Sequence, residues 1–182
     1  MSIRILGLDC SSSTIGWGLI KDINGFSLDQ HGHIKPMKSK FDLFIRLQDV
    51  YEKIGDLCCR LNPTHVVMED IVLHMSGRSS AKTITTLAIF NRTVGLSVYV
   101  HTGIVPELLA VGTIRKLIRS IYPEVNPKFK KDEIPDIIRS YLDPQFADII
   151  NRNNTISAET YDESDGIAAA WAYGIQLRNK NE

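Results

Sequence analysis

The hydrophobic period of the chain changes near residue 43, and this change constrains the fold more than any other feature. Residues 3–9, 14–21 and 26–34 are short apolar segments, and a Ser-rich turn joins the first two, which predicts strands that begin with a hairpin. Over residues 43–61, apolar side chains recur every three or four positions, which predicts an amphipathic helix that Asn62 and Pro63 end. Such a change of period is typical of an α/β protein.

Strand-like and helical segments alternate after this helix. The predicted elements are a strand over 64–68, a mostly helical segment over 79–98, a strand over 105–111, and helices over 113–121, 131–142 and 162–177. This order predicts an α/β mixed sheet flanked by helices. No loop is long enough to separate two domains, so we expect one domain over residues 1–182.

Composition excludes several classes of protein. The hydrophobic fraction of 43% and the charged fraction of 23% are ordinary for a globular protein, which excludes a disordered or fibrous chain. No apolar run approaches the ~18 residues of a membrane span, and the N-terminus lacks the long apolar core of a signal peptide. Three cysteines, two of them adjacent, argue against a disulfide framework. We therefore expect a cytoplasmic protein of a reducing compartment.

The charges balance overall but are segregated along the chain. Lys and Arg total 21, and so do Asp and Glu. Residues 111–131 carry six bases and one acid, whereas residues 132–165 carry nine acids and two bases. The six bases are Arg115, Lys116, Arg119, Lys128, Lys130 and Lys131, and a further basic stretch holds Lys35, Lys38, Lys40 and Arg46. Such sectors either bind a polyanion on one face and cations on another, or they are solvated surfaces.

Four acids occupy positions at which α/β proteins place ligands. Asp9 and Glu69 each end an apolar strand, at the rim of the sheet, and they converge if the two strands are neighbours. Asp162 and Asp165 lie three residues apart in a predicted helix and therefore share a face. Four carboxylates in one place repel one another, and hard cations such as Mg²⁺ or Mn²⁺ relieve that repulsion. Taken singly, each acid has an alternative role in a turn, a loop or a helix cap.

Three segments resemble the RuvC-like Holliday junction resolvases. They are GLDCSSSTIGWG over residues 7–18, VMED over residues 67–70 and DESDGIAAA over residues 162–170. The resemblance implies a ribonuclease H-like fold, a homodimer and cleavage of four-way DNA junctions. It also implies that Asp9, Glu69, Asp162 and Asp165 bind the catalytic Mg²⁺, two ions per site, for which Mn²⁺ is a substitute.

The resemblance also assigns basic residues to the scissile phosphate. Arg115 follows a predicted strand and Lys131 opens a predicted helix, and both look like the family's basic residues near the reacting group. The basic sector adds Lys116 and Lys130 as candidate DNA contacts. A lysine at a helix N-terminus is a reasonable phosphate site in itself, but the sequence leaves open which of Lys130 and Lys131 lies closer.

The chain departs from the family in two places. Bacterial relatives often carry an aromatic residue three positions after the second acid, where it can stack in the junction, but here that position is Val72 and the nearest ring is His74. Residues 151–161 look like an insertion before the last helix. These differences leave the stacking residue and the cleavage sequence open.

The implied chemistry is phosphodiester hydrolysis with two metal ions. One ion lowers the pKa of a bound water to make the nucleophile, and the other stabilises the leaving 3′-oxygen. Asp9 is the expected bridging ligand because the first strand of such a sheet is central. Asp162 and Asp165 close the site, while Arg115 and Lys131 hold the phosphate and offset its developing charge.

Paired cuts in a junction with two-fold symmetry require two active sites, which favours a homodimer. The candidate interface is the helical segment over 79–98, where Leu87 and Val94 are expected to pack across the dyad. The small residues that permit a close helix approach there are Ala81, Ala88 and Gly95. The alternative is that this face packs on its own sheet. The sequence identifies no helicase partner.

Three other functions remain open. Sugar kinases and actin-like ATPases begin with a similar strand and phosphate loop, but they need two such lobes, and the terminal aspartate pair has no role in them. A non-catalytic junction-binding protein of the same fold is a second alternative, although all four acids are present. A third is a nuclease of the same fold that acts on other branched DNA or on RNA. Metal-dependent nicking of branched DNA discriminates among them.

Overall fold

Five strands form a mixed sheet in the computed structural model, which describes residues 3–23, 25–71, 80–125 and 129–181. The strands are β1 (Ile3–Cys10), β2 (Ile15–Asp22), β3 (Phe26–Ile34), β4 (His65–Glu69) and β5 (Glu107–Leu109). Their order across the sheet is β3-β2-β1-β4-β5, with β1 antiparallel to β2 and parallel to β4. β1 is therefore central, and the predicted α/β mixed sheet is confirmed.

Helices cover both faces of the sheet. They are α1 (Leu43–Leu61), α2 (Ala81–Thr102), α3 (Val111–Ile121), α4 (Ile134–Tyr141) and α5 (Ala158–Asn181), and a 3₁₀ turn, Lys131–Glu133, precedes α4. Side chains of Asp42 and Ser80 cap the starts of α1 and α2 by accepting backbone N–H groups. Both helices end at a residue in the left-handed conformation, Asn62 and Gly103. Within the described ranges, no helix is both long enough and apolar enough to cross a bilayer.

Several predicted boundaries differ from those observed. β5 is shorter than the predicted strand over 105–111, because α3 already begins at Val111. α2 continues past residue 98 to Thr102, and Pro135 in the first turn of α4 separates that helix from the 3₁₀ turn. α5 begins at Ala158, so Asp162 lies inside the helix rather than at its start. Part of the predicted insertion over 151–161 is therefore helical.

Alternation along β1 decides which side chains meet which helices. Leu6 and Leu8 are fully buried in a core shared with α1 and α2. Ile5 points the opposite way and is buried in a second core formed with α3, α4 and α5. Because side chains alternate along a strand, Gly7 and Asp9 share the face of Ile5. The first acid of the chain therefore projects toward α5.

Glycines bring the backbone of α5 against the central strands. A Cβ at Gly7 would collide with the backbone of Gly166, and one at Gly16 would collide with the backbone of Asp162. The approach is reciprocal, since a Cβ at Gly166 would meet the backbone of Gly16. Glycine within a strand often marks such a close backbone approach. A larger side chain at Gly16 must therefore displace the helix that carries two of the predicted site residues.

Candidate active site

Asp9 and Glu69 lie side by side at the rim of the sheet. β1 and β4 run parallel, and their last paired residues are Leu8 and Met68, so each acid follows one position later. Both acids project toward α5, because Leu8 and Met68 are buried on the opposite face. The carboxyl ends of parallel strands are where α/β sheets bind ligands. A cavity of about 90 Å³ at this rim is lined by Asp9, Cys10, Glu69, Asp70, Ile71, Leu87 and Asn91.

α5 adds two more carboxylates, which the ammonium of Lys131 joins to Asp9. Lys131 Nζ lies 2.7 Å from Asp165 Oδ2, 3.0 Å from Asp162 Oδ1 and 3.8 Å from Asp9 Oδ2. The three aspartate side chains are 13–19% exposed, whereas that of Lys131 is 48% exposed. The lysine therefore covers a largely buried acidic cluster from its solvent side.

Burial and mutual repulsion raise the pKa values of Asp9, Glu69 and Asp165. Burial and the charge of Asp165 raise the pKa of Asp9 to about 7, against the opposing charge of Lys131. Burial and the charges of Asp9 and Asp165 raise the pKa of Glu69 to about 8. Burial also raises the pKa of Asp165, although Lys131 opposes it. A carboxyl group that keeps its proton near neutral pH has too little positive charge around it to offset burial and repulsion.

The site holds an ammonium where a metal is expected. Across the described ranges, no three His, Cys, Asp or Glu side chains are arranged to hold a metal ion. Burial acts to lower the pKa of Lys131, but Asp165 and Asp9 outweigh it and leave that pKa raised. The donors themselves are all carboxylate oxygens, which is the chemistry that suits a hard divalent cation. The four predicted ligands therefore fit such an ion by type, provided that Lys131 leaves its place between them.

Arg115 is the second base beside the acids. Its charge opposes the rise in the pKa values of Glu69 and Asp165. Its guanidinium carbon lies 5.5 Å from the ring centroid of Phe129. The buried Nε of Arg115 has no hydrogen-bond partner among the described residues. A guanidinium beside an acidic cluster supplies a positive charge suited to an incoming phosphate.

The other two predicted DNA contacts, Lys116 and Lys130, form no ion pair with the four acids within the described ranges. Lys116 lines a groove of about 450 Å³ along α3, with Gly112, Arg115, Arg119, Ser120 and Pro123. Lys130 is exposed directly before the 3₁₀ turn. Of the two adjacent lysines, Lys131 is the one whose ammonium reaches the carboxylates.

Two buried polar residues that the sequence analysis did not identify form hydrogen bonds with the strands and helices that carry the site. Asn91 is buried in α2 and donates from Nδ2 to the Glu69 carbonyl at 3.0 Å. Glu163 is buried in α5 and accepts hydrogen bonds from Nδ1 of His31 and of His33, each at 2.6 Å. The pattern His-Gly-His places both rings on one face of β3. This is the sequence pattern that could have indicated that the two histidines share a partner.

α2 presents a different surface from the predicted interface. Val94 is fully buried in the core shared with α1, so its predicted contact with a second subunit is wrong. Leu87 lines the cavity beside Asp9. The outer face instead carries an apolar groove of about 520 Å³, lined by Ile84, Thr85, Ala88, Ile89, Arg92, Thr93 and Leu96. The predictions that concern Val72, His74, Ser79 and Lys128 lie outside the described residues.

Curated relatives of the chain are crossover junction endodeoxyribonucleases named RuvC, whereas no protein-family model matches it. RuvC of Nitratidesulfovibrio vulgaris is 30% identical over 71 residues, which cover 38% of this chain and 42% of that protein. RuvC of Orientia tsutsugamushi is 37% identical over 78 residues, which cover 42% of this chain and 48% of that protein. The match thus spans less than half the length of these relatives.

Solved structures of junction resolvases share the fold over nearly the whole chain. Thermus thermophilus RuvC in complex with a Holliday junction substrate matches with a TM-score of 0.71 at 12% identity, covering 97% of this chain and 96% of that one. A yeast mitochondrial Holliday junction resolvase matches with a TM-score of 0.62 at 14% identity, covering 98% and 82%. The resemblance to the RuvC-like resolvases is therefore confirmed, and the chain has their ribonuclease H-like fold.

Proposed function

We propose that the chain is a metal-dependent, structure-selective DNA endonuclease that resolves four-way junctions by paired nicks. The observation that carries this proposal is the convergence of Asp9, Asp162 and Asp165 on Lys131, with Glu69 beside them, at the rim of a RuvC-like sheet. Partly buried acids that repel one another lower the stability of the fold. Such clusters are therefore typical of functional sites, where the negative charge binds a ligand. A structure with the same fold is complexed with junction DNA.

The four carboxylates serve as metal ligands in this proposal. Mg²⁺, two ions per site and replaceable by Mn²⁺, would supply a water of lowered pKa and offset the charge on the leaving oxygen. Asp9 lies on the central strand β1, next to β4 which carries Glu69, and would be the ligand that both ions share. Asp162 and Asp165, which contact Lys131 in this structure, would hold the metal, and the Lys131 ammonium would then face the scissile phosphate. Arg115 holds the same phosphate from the α3 side.

Basic side chains extend this site into a DNA-binding surface. Lys116 and Arg119 line the groove on α3 together with Arg115, and Lys130 adds charge beside Lys131. Each phosphate that these side chains neutralise releases counterions from the DNA. Affinity for DNA is therefore expected to fall steeply as the salt concentration rises.

A second copy of the chain supplies the second active site. We assign the contact to the apolar groove on α2, where Ala88 and Ile89 are half-buried and Leu96 is 56% exposed. Contiguous exposed apolar surface of this kind marks protein interfaces, and a two-fold contact buries the same patch on both copies. Light scattering should give about twice 20.5 kDa, and Ile89→Lys should give the monomer.

We further propose that residues 1–182 are one nuclease domain that works in a reducing cytoplasm without binding a membrane. The two hydrophobic cores lie on opposite faces of one sheet, which supports a single folding unit. Cys10, Cys58 and Cys59 are free thiols, as a reducing compartment favours. No helicase partner is assigned.

Incubation with Mg²⁺ of four-way, flap and linear DNA tests the function. We expect symmetric nicks across the four-way branch, loss of cleavage in Asp9→Asn, and normal cleavage in the control Asp136→Asn, whose side chain is 77% exposed on α4. Equal cleavage of flaps or of RNA would favour the general branched-substrate nuclease. Junction binding without cleavage would favour a non-catalytic binding protein, and absence of both would reject the proposal.

A further inference from the structure

The segment that leads into α1 exposes large apolar side chains that the core does not use. Met37, Phe41, Phe44 and Ile45 are 39%, 43%, 78% and 50% exposed. Phe44 is the most exposed large hydrophobic residue in the described part of the chain. We name residues 37–45 the α1 tip. Exposed aromatic rings cost solvation free energy, so a cluster of them indicates a binding surface.

Arg46 fixes the α1 tip at the rim of the sheet that holds the acids. Its Nη2 donates to the carbonyl of Ser12 at 2.5 Å, and its Nε donates to the carbonyl of Met37 at 2.9 Å. Ser12 lies in the turn that follows β1, three positions after Asp9. The Arg46 guanidinium also lies 4.8 Å from the ring centroid of Phe90 in α2. The tip is therefore held beside the active site by hydrogen bonds and packing rather than projecting freely.

The charge of the α1 tip is positive. Lys38 and Lys40 are exposed, and neither forms an ion pair within the described ranges; Lys40 Nζ lies 5.3 Å from the ring centroid of Phe41. The two nearby acids already have partners. Asp42 accepts the backbone N–H of Phe44, and Asp49 binds Lys53 and the backbone N–H of Met37. The surface thus combines exposed rings with unneutralised ammonium groups.

We propose that the α1 tip is a second DNA site, which stacks an unpaired base of the branch on Phe44 and holds the adjoining phosphates with Lys38 and Lys40. This inference rests on the proposed function, since it extends the surface beside the same acids. Aromatic rings within a positive surface bind single strands because every base offers a stacking face. A two-fold contact between copies fits less well, because it would bring the lysines of both copies together.

Fluorescence anisotropy in EDTA tests the site, with three probes: a four-way junction, a single-stranded oligonucleotide and a linear duplex. Phe44→Ala should weaken binding of the junction and the single strand by roughly 5- to 100-fold and leave duplex binding unchanged. Phe44→Tyr should retain wild-type affinity because it keeps the ring. Lys38→Ala and Lys40→Ala should each reduce the salt slope of junction binding by about 0.7 to 0.9. Ile23→Ala is the matched control, since Ile23 is 67% exposed at the opposite end of β2.

Two results would overturn the inference. One is a wild-type affinity of Phe44→Ala for the junction and the single strand, and the other is a halved mass of Phe44→Ala in light scattering, which would make the tip an interface between copies. Cleavage of the junction by the wild-type chain with Mg²⁺ is measured in parallel. If the wild type cleaves and Phe44→Ala binds normally, the tip alone is rejected. If the wild type neither binds nor cleaves the junction, the proposed function is rejected as well.

Discussion

Neighbouring acids in α5 have opposite electrostatic surroundings. Asp162 and Asp165 face the acids of the sheet across the ammonium of Lys131. Glu163, between them in sequence, faces β3 and accepts hydrogen bonds from two histidines. Its side chain is 5% exposed, and that of Asp165 is 13% exposed, so both acids lose most of their contact with water.

The difference between the two regions lies in the partners rather than in burial. Burial raises the pKa of Asp165, and Lys131 does not fully offset it. Burial also acts to raise the pKa of Glu163, but hydrogen bonds from His31 and His33 outweigh it and leave that pKa below its ordinary value. A buried acid stabilises a fold when it is fully partnered and costs stability when it is not. One helix thus carries a structural acid and two acids suited to binding a further cation.

The largest expected effect is the loss of cleavage when one of the acids that lack sufficient positive partners is replaced. Asp9→Asn or Glu69→Gln should reduce cleavage by ~10³-fold or more, because the metal loses a ligand. DNA binding should persist or tighten, since a carboxylate that faces the phosphate becomes neutral. Gel assays of nicking and anisotropy of the same variants measure the two effects, and Asp136→Asn serves as the exposed-acid control. Near-normal turnover in either variant would remove the proposed site.

Removing the bases beside the acids should have the next largest effect. Lys131→Ala and Arg115→Ala should each lower cleavage by ~10²-fold, because each removes a charge that offsets the developing negative charge. Their DNA affinity should also depend less on salt than that of the wild type. If both variants cleave normally and wild-type affinity is flat across salt concentrations, the basic sector is a solvated surface.

Glu163, the structural acid, should affect the free energy of unfolding. Glu163→Gln keeps the shape of the side chain but removes the charge that binds both histidines, so we expect the free energy of unfolding to fall by about 1–3 kcal/mol and Tm by roughly 2–10 °C. Thermal unfolding without divalent metal measures this. Asp9→Asn should have the opposite sign at pH 8, because it removes an unfavourable charge. Equal destabilisation by both variants would contradict the distinction between the two regions.

The smallest expected effect is a pH dependence of metal-free stability. The pKa values of Asp9 and Glu69, about 7 and about 8 in the folded chain, exceed the ordinary values of ~3.9 and ~4.3. At pH values between the unfolded-state and folded-state pKa values, the folded chain binds more protons than the unfolded chain. The contribution of these acids to stability therefore falls as pH rises. Glu163 has a lowered pKa, and its contribution is present above ~4.3 and lost only in acid.

Denaturant titrations at pH 5 and pH 8 measure this dependence. The free energy of unfolding of the wild type should fall by on the order of 2 kcal/mol relative to Asp9→Asn over that interval. Saturating Mg²⁺ should reduce the difference, since a bound cation neutralises the acids. If the free energy of unfolding changed with pH equally in the wild type and in Asp9→Asn, Asp9 would not titrate between pH 5 and pH 8.

Local patterns in the sequence predict the order of the strands and helices and the elements that carry the four acids. Asp9 and Glu69 lie at the carboxyl ends of apolar strands, and the direction of a strand side chain follows from its position alone. Asp162 and Asp165 share a helix face for the same local reason. The sequence does not predict the start of α5, because the residues just before Asp162 show no clear hydrophobic period.

Tertiary packing decided the contacts that join distant segments. His31 and Glu163 are 132 positions apart, and nothing local indicates that they meet. α2 has apolar residues on both sides, so its sequence did not distinguish the buried Val94 from the exposed Leu96. Lys130 and Lys131 are chemically identical, and only the place where the 3₁₀ turn meets α5 selects Lys131 for the acids. Periodicity records which side of an element is apolar, whereas the partner of that side depends on how the whole chain packs.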